Sequence, residues 1–246
     1  MKNIAVVFGG YSSEYGVSVK SAKFIYDNLK DNSDWNIYEI CISKKEKTVK
    51  FKERIFDLDY QNFSFEIDGT IIKPDAVFNI IHGDPGENGV LAEILEKNYI
   101  PQTGCNNYVS QLTFNKKRFI EFLDNLEIPC AKQILLKKKE TIDIESIVEK
   151  IKLPCIVKPN KGGSSIGVSK VNYINELENK IKIAFNEDNQ VLIETFLEGQ
   201  EVSVGVINRN GKRIILPITE IISENELFDY NAKYLGESHE ITPGNI

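Results

Sequence analysis

Pro154-Cys155-Ile156-Val157-Lys158-Pro159-Asn160-Lys161-Gly162-Gly163-Ser164-Ser165-Ile166-Gly167-Val168-Ser169-Lys170-Val171 sets a lysine at the end of a short apolar run, directly before a glycine and serine loop. A lysine at a strand end can stand at the mouth of a cleft as a point charge for a phosphate. The loop adds small residues whose backbone N–H groups can approach phosphate oxygens closely, and hydroxyls that can donate as well. Taken by itself, the run fits a solvated turn between two strands equally well.

Upstream, Asn3 to Phe8 is a compact apolar run that stops at Gly9-Gly10, and Val17, Ala22, Phe24, Ile25 and Leu29 then recur at helical spacing. That predicts strand, glycine turn and helix. Further strands are expected at Ile37 to Ile42 and at Ala76 to Ile81, the latter ending on His82-Gly83, followed by a helix from Val90 that stops near Asn98. Strands alternating with helices imply a mainly parallel sheet with ligands gathered at the carboxyl ends of its strands, where Gly9-Gly10 and His82-Gly83 both lie. From about Cys105 one long helical stretch is expected through Leu126, then a helix over Ile144 to Ile151, the strand carrying Lys158, a returning strand through Val171 and a helix over Asn175 to Phe185. Strands follow at Val191 to Glu194, Val202 to Asn208 and Arg213 to Ile218, with Arg209-Asn210-Gly211 as a hairpin turn. On this reading two antiparallel sheets face each other, Lys158 on one and the carboxylates Glu194 and Glu201 on the other. Residues 223–246 show no clear period and read as a long functional loop.

Composition narrows the function classes. At 246 residues, 41% hydrophobic and 27% charged, the chain reads as an ordinary globular protein of more than one packed unit. A formal charge of −6 argues against a nucleic-acid partner. The apolar run near the N-terminus is too short for a signal peptide core, and no stretch is long enough to span a bilayer. Cys41, Cys105, Cys130 and Cys155 are widely spaced and read as buried thiols in a reducing cytosol. With only His82 and His239, a zinc site is not expected.

The ordered motifs together carry a resemblance. Val7-Phe8-Gly9-Gly10 with Ser12, Glu14, Val17 and Ser18, then His82-Gly83 with Gly86, Glu87 and Gly89, Pro101 with Thr103-Gly104, Asn115-Lys116, the Lys158 to Val171 run, Ile193-Glu194 with Glu201, and Asp229-Tyr230 with Ala232-Lys233-Tyr234 follow one another along the whole chain. In this the chain resembles the D-alanine:D-alanine ligases of the ATP-grasp superfamily. The resemblance implies an α/β chain: an N-terminal parallel-sheet, Rossmann-like (pre-ATP-grasp) domain over 1–104, a central ATP-grasp subdomain over 105–190, and a partial C-terminal ATP-grasp subdomain over 191–246 with an omega-type loop at 223–246. It also implies ATP-dependent joining of two D-alanines through an acyl phosphate, for peptidoglycan precursor synthesis in the cytoplasm, by an enzyme that uses ATP with Mg2+ or Mn2+ and forms homodimers. Residue by residue, Glu14 matches the carboxylate that pairs with the first D-alanine's ammonium, and His82 the histidine near that substrate's carboxylate. Ser164 and Tyr234 join Glu14 in a hydrogen-bonded set. Lys116, Lys158, Ser164, Ser165 and Lys233 face the nucleotide's phosphates, while Glu194 and Glu201 take its adenine and ribose side.

Each position also has a plainer reading. Glu14 could serve the first turn of a helix through its dipole, His82 could be a structural histidine, Lys116 an exposed helix lysine, Glu194 and Glu201 solvated strand residues, and Tyr234 packing. Departures from the family pattern occur at Gly16, Asn88, Gln102 and Asn231, several of which remove a negative charge. The family's metal carboxylates and a charge-stabilising arginine are expected beyond Ile246. The chain therefore reads as a C-terminally truncated ligase, expected to be inactive alone, with a non-catalytic remnant that binds nucleotide or a partner as the alternative.

Overall fold

The computed structural model describes residues 1–223 and 238–245. The chain divides into two compact units, Met1–Leu126 and Glu127–Ile246.

In the first unit, β1 (Lys2–Gly9) leads into α1 (Tyr15–Leu29) and β2 (Trp35–Ile42). Then come the short strands β3 (Lys47–Phe51), β4 (Arg54–Asp57), β5 (Phe65–Ile67) and β6 (Thr70–Ile72), followed by β7 (Ala76–Asn79), α2 (Val90–Lys97), α3 (Asn107–Phe114) and α4 (Lys116–Asp124). The main sheet has the order β4-β3-β2-β1-β7. β1 runs parallel to both β2 and β7, in register Ile4 to Ile37 and Ile4 to Ala76, whereas β3 and β4 extend the sheet antiparallel.

The run at β1 is continuously apolar because both its faces are covered, as parallel strands require. Ala5 and Val7 face Ile40, Ile42, Leu91 and Leu95, while Val6 faces Ala22 and Ile37 beneath α1. Full burial of each such leucine or isoleucine contributes about 1.5–3 kcal/mol. Ser18, fully buried on α1, accepts from the Gly9 N–H at 2.9 Å and donates to the Ile80 carbonyl at 2.7 Å, tying the helix to the ends of two parallel strands.

The single helix expected over 105–126 is two helices. Asn115 adopts an extended conformation (φ −91°, ψ 97°) and its side chain accepts from the Arg118 N–H at 3.1 Å. That is N-cap chemistry, in which the side-chain oxygen satisfies a backbone donor that the new helix leaves open. Strands β3 to β6, between residues 47 and 72, were not anticipated: all are short, and β3 and β4 each carry two charged residues.

The second unit contains β8 (Gln133–Lys137), α5 (Ile144–Ile151), β9 (Cys155–Pro159), β10 (Ser169–Val171), α6 (Ile174–Ala184) and β11 (Gln190–Thr195). After these come β12 (Glu201–Ser203), β13 (Val206–Arg209), β14 (Lys212–Ile215), β15 (Thr219–Ser223) and β16 (Ser238–Ile241). An antiparallel sheet of order β10-β9-β11-β8 carries α5 and α6 on one face, where Ile147, Ile151, Leu177 and Ile181 pack on Val157, Val191 and Ile193. Asp143 caps α5 by accepting from the Ser146 N–H at 3.0 Å. β12, β15 and β16 form a second sheet, and β13 with β14 a hairpin whose turn holds Asn210 and Gly211 at φ 52° and 74°, as a two-residue primed turn requires.

Three expectations are corrected here. Lys158 on β9 and Glu194 on β11 belong to one sheet, with only Glu201 on another. The strand expected over Val202 to Asn208 is interrupted at Val204-Gly205. Residues 223–246, expected as one loop, include the end of β15 and all of β16. Of the four cysteines, all free, only Cys155 is buried, and burial pushes its thiol up to about 11; Cys41 and Cys130 are half-buried and Cys105 is exposed.

Candidate functional site

The site residues expected from sequence fall into two clusters, one in each unit, with Lys233 and Tyr234 outside the described residues. The first cluster is built where β1 and β7 end. Gly9 and Gly10 turn the chain with φ of 106° and 99°, a region that side chains other than glycine rarely adopt. Glu14 follows at the N-cap of α1. It is 3% exposed and makes no side-chain cap bond, so the helix-start reading does not explain its burial.

Beyond β7, the Ser12 hydroxyl donates to the His82 carbonyl at 2.9 Å and accepts from the Glu14 N–H at 3.2 Å, which joins the two loops. Gly83 lies against them so tightly that a Cβ there would come within 2.8 Å of the Ser12 hydroxyl and 3.4 Å of Glu14 Oε2. His82 Nδ1 stands 3.0 Å from the Ile80 carbonyl. A carbonyl only accepts, so Nδ1 carries a proton and Nε2 is the atom left to meet a ligand.

Glu87 completes this loop and had no role in the sequence reading, although it sits inside the His82-Gly83 motif. Its Oε2 accepts from the Gly83 N–H at 2.7 Å, and its own N–H donates to the Gly83 carbonyl at 2.8 Å. Burial pushes the Glu87 carboxyl above its ordinary value; the Gly83 N–H opposes that, the Glu14 charge adds to it, and His82 and Lys116 oppose it further. A cavity of about 510 Å³ opens beside His82 and Glu87, with Lys20, Ser21 and Phe24 of α1 on its other side.

Lys116 takes the first position of α4, followed by Lys117 and Arg118, and the first turn of that helix contains no acidic residue. Three cations at the positive end of a helix dipole oppose its preference. An anion bound there would reverse the sign of that interaction.

The second cluster centres on Lys158. Its Nζ lies 2.6 Å from Glu194 Oε2, with side chains 22% and 10% exposed. The other carboxylate oxygen, Glu194 Oε1, is buried and has no hydrogen-bond partner among the described residues. After β9 the chain enters the glycine and serine loop, where Gly162, Ser164, Ser165 and Gly167 all have positive φ. Two successive serines in the left-handed region store backbone strain of order 1–3 kcal/mol each. Turn bonds hold the loop, Ile166 N–H to Gly163 O and Val168 N–H to Ser165 O. Glu201, on β12, is exposed.

The structure thus brings Glu14 and His82 together within the first unit, and Lys158 and Glu194 within the second. Among the described residues no group of three or more His, Cys, Asp or Glu side chains could hold a metal ion. The described residues alone therefore assemble no protein-held Mg2+ or Mn2+ site. No described helix is long and apolar enough to cross a membrane.

Comparison with known proteins places these clusters in context. The family model described as D-ala D-ala ligase N-terminus matches residues 3–105, and the one described as D-ala D-ala ligase C-terminus matches residues 122–244. A D-alanine--D-alanine ligase from Flavobacterium psychrophilum is 48% identical over 99% of this chain and 74% of its own length, and one from Flavobacterium johnsoniae 47% identical over 100% and 76%. Among solved structures, D-alanyl-alanine synthetase A from Vibrio cholerae superposes with a TM-score of 0.83 at 28% identity, covering all of this chain and 75% of the other. The VanG D-Ala:D-Ser ligase from Enterococcus faecalis gives 0.81 at 30%, covering 100% and 77%.

Proposed function

The chain belongs to the D-alanine–D-alanine ligase family, and from that premise we propose that it serves the ATP-dependent joining of two D-alanines, the first cluster serving the amino acid and the second the nucleotide. Relatives up to 48% identical are named as ligases, which favours this reading over a non-catalytic remnant. The single observation that carries the nucleotide half is the Lys158–Glu194 pair standing on the sheet face opposite α5 and α6, with the strained Gly162 to Gly167 loop leaving the end of the same strand.

In the reaction, a carboxylate oxygen of the first D-alanine attacks the γ-phosphorus of ATP, and the bond to the β,γ-bridging oxygen breaks to release ADP. The amine of the second D-alanine then attacks the acyl phosphate carbonyl, loses a proton and expels inorganic phosphate. Phosphoryl transfer asks mainly for positioning and for neutralised charge. Lys116 and Lys158 supply cations, and the Ser164 and Ser165 loop supplies backbone N–H groups and hydroxyls to the phosphates. Lys233, outside the described residues, adds a further cation. Glu194 and Glu201 accept from the base and ribose.

Glu14 receives the ammonium of the first D-alanine, and its burial strengthens that attraction. With Nδ1–H committed to the Ile80 carbonyl, Nε2 is the His82 atom turned toward a substrate carboxylate. The family resemblance also assigns to the substrate Ser164 and Tyr234, the latter outside the described residues, and excluding water from an acyl phosphate protects it from hydrolysis. The division at residues 104 and 190 into N-terminal, central and C-terminal parts, a cytoplasmic site for peptidoglycan precursor synthesis, homodimerisation and a divalent metal beside ATP belong to the same proposal.

The test is D-alanine-dependent phosphate release from ATP, with D-alanyl-D-alanine identified by mass spectrometry. It is run on this chain and on this chain joined to the remaining C-terminal part of the Flavobacterium psychrophilum ligase. Release that requires D-alanine and yields the dipeptide is the expected result for the joined protein. A folded joined protein that releases phosphate without D-alanine, or none at all, overturns the proposal.

A further inference from the structure

Strand alternation sorts the residues of the four-stranded sheet. Leu136, Cys155, Val157, Val191 and Ile193 pack beneath α5 and α6. Their neighbours Gln133 and Leu135 on β8, Ile156 and Lys158 on β9, and Leu192 and Glu194 on β11 therefore share the opposite face. On that face Gln133 stands directly across from Glu194 in the β8–β11 register, and such partners have Cβ atoms roughly 4.5–5.5 Å apart.

Glu194 has committed Oε2 to Lys158. Its Oε1 and the Gln133 Oε1 are both buried without a hydrogen-bond partner among the described residues. A buried acceptor left without a donor is destabilising, and here two stand on adjacent strands of one face. A ligand that relieves both must bring two donors on one small group, and the primary amino group of a planar base does so with its two N–H bonds. A 6-oxo purine brings an acceptor instead and meets the Glu194 carboxylate with repulsion. Ile156 and Leu135, both partly exposed, provide apolar surface against which a base can lie, as ligand pockets commonly pair such surface with a few polar groups.

We propose that Gln133 is a specificity-determining residue: with Glu194 it accepts the two N–H bonds of the adenine 6-amino group and so selects ATP over 6-oxo nucleotides. This rests on the nucleotide reading of the Lys158 and Glu194 cluster. No motif singles out Gln133. The competing arrangement is an amide rotated so that Nε2 donates to Glu194 Oε1, which would make Gln133 a support for Glu194 whatever base is bound.

Nucleotide binding to this chain, measured by isothermal titration calorimetry, separates the two without requiring turnover. The probes are ATP, N6,N6-dimethyl-ATP, which lacks both N–H bonds, and purine riboside triphosphate, which lacks the amino group. Gln133→Met is expected to weaken ATP about tenfold, equivalent to about 1.4 kcal/mol, while the dimethylated and amino-free nucleotides stay within about twofold of their wild-type affinities. Unchanged ATP affinity, or equal losses for all three nucleotides, overturns the role of Gln133. Should the variant fail to fold, the wild-type protein still decides: a preference for ATP over both analogues of less than about threefold overturns the proposal. Absence of saturable binding by every triphosphate overturns the nucleotide reading itself, and the Gln133 role with it.

Discussion

Replacing Lys158 with methionine tests whether the ion pair at the centre of the second unit is structural as well as chemical. The ammonium sits 2.6 Å from Glu194 Oε2, on side chains 22% and 10% exposed. An exposed pair contributes at most about 1 kcal/mol, whereas removing one partner of a fully buried pair costs about 3–5 kcal/mol because a bare charge stays behind. This pair lies between those limits, nearer the buried one on the glutamate side, where Oε1 has no hydrogen-bond partner among the described residues. Discounting for the water that reaches Lys158, the expected cost of Lys158→Met is about 2 kcal/mol. Native-state hydrogen exchange by mass spectrometry should show it as about a thirtyfold loss of protection in peptides covering β9 and β11. Adding Glu194→Leu should restore most of the loss, because a packed apolar pair often substitutes for a buried ionic one. Protection within about threefold of wild type in the single variant, or a double variant no better than the sum of the two singles, would refute the reasoning.

Other perturbations probe the scaffold. A Cβ at Gly86 would lie 2.4 Å from Ile81 Cβ and 2.7 Å from its carbonyl oxygen, so Gly86→Ala should lose about 1–3 kcal/mol; a thermal midpoint equal to wild type would show that the loop yields freely. Ile181→Ala on α6 opens a void among fully buried residues and should cost about 2–5 kcal/mol by urea unfolding, with a cost below about 1 kcal/mol contradicting the packing described. The raised carboxyl of Glu87 gives a pH test. A group whose folded pKa lies above its unfolded value of 4.5 contributes stability that is present below 4.5 and lost as pH rises through the folded value. Glu87→Gln keeps an acceptor for the Gly83 N–H and has no such loss, so its stability relative to wild type should improve as pH climbs from 4 toward 7 (about that window). A difference that does not change with pH would count against the burial argument.

The alternation of strand and helix was legible because burial imposes it on composition. β1 must be apolar on both faces, and α5 must carry its stripe at helical spacing, so both are visible without coordinates. The partnership of Lys158 and Glu194 was not legible, because it depends on sheet order: β11 pairs with β9 across an intervening strand and helix, and nothing in linear spacing fixes that register. Gln133 was hidden for the same reason, since its importance lies wholly in the residue opposite it. By contrast the break at Asn115 was available in principle, for an asparagine whose side chain can reach the N–H three residues on is a common helix start. Glu87 lay inside a recognised motif, yet only the fold reveals that its carboxylate closes a ring with Gly83.

The two clusters share a construction. In each, the loop that leaves a strand end takes up positive φ, at Gly9, Gly10 and Gly83 in the first unit and at Gly162, Ser164, Ser165 and Gly167 in the second. Turning the chain this way ends the strand's run and brings the next side chain close to the strand end. In the first unit glycine carries the turn at little steric cost, and the side chains so gathered, Ser12 and Glu14, are held by hydrogen bonds. In the second, two serines occupy positions that glycine would fill with less strain. That cost has a return if the hydroxyls themselves are needed, as they would be to donate to phosphate oxygens. Glycine at Ser164 or Ser165 should therefore leave folding intact or slightly improved while weakening ATP binding, opposite signs that a purely structural turn would not produce.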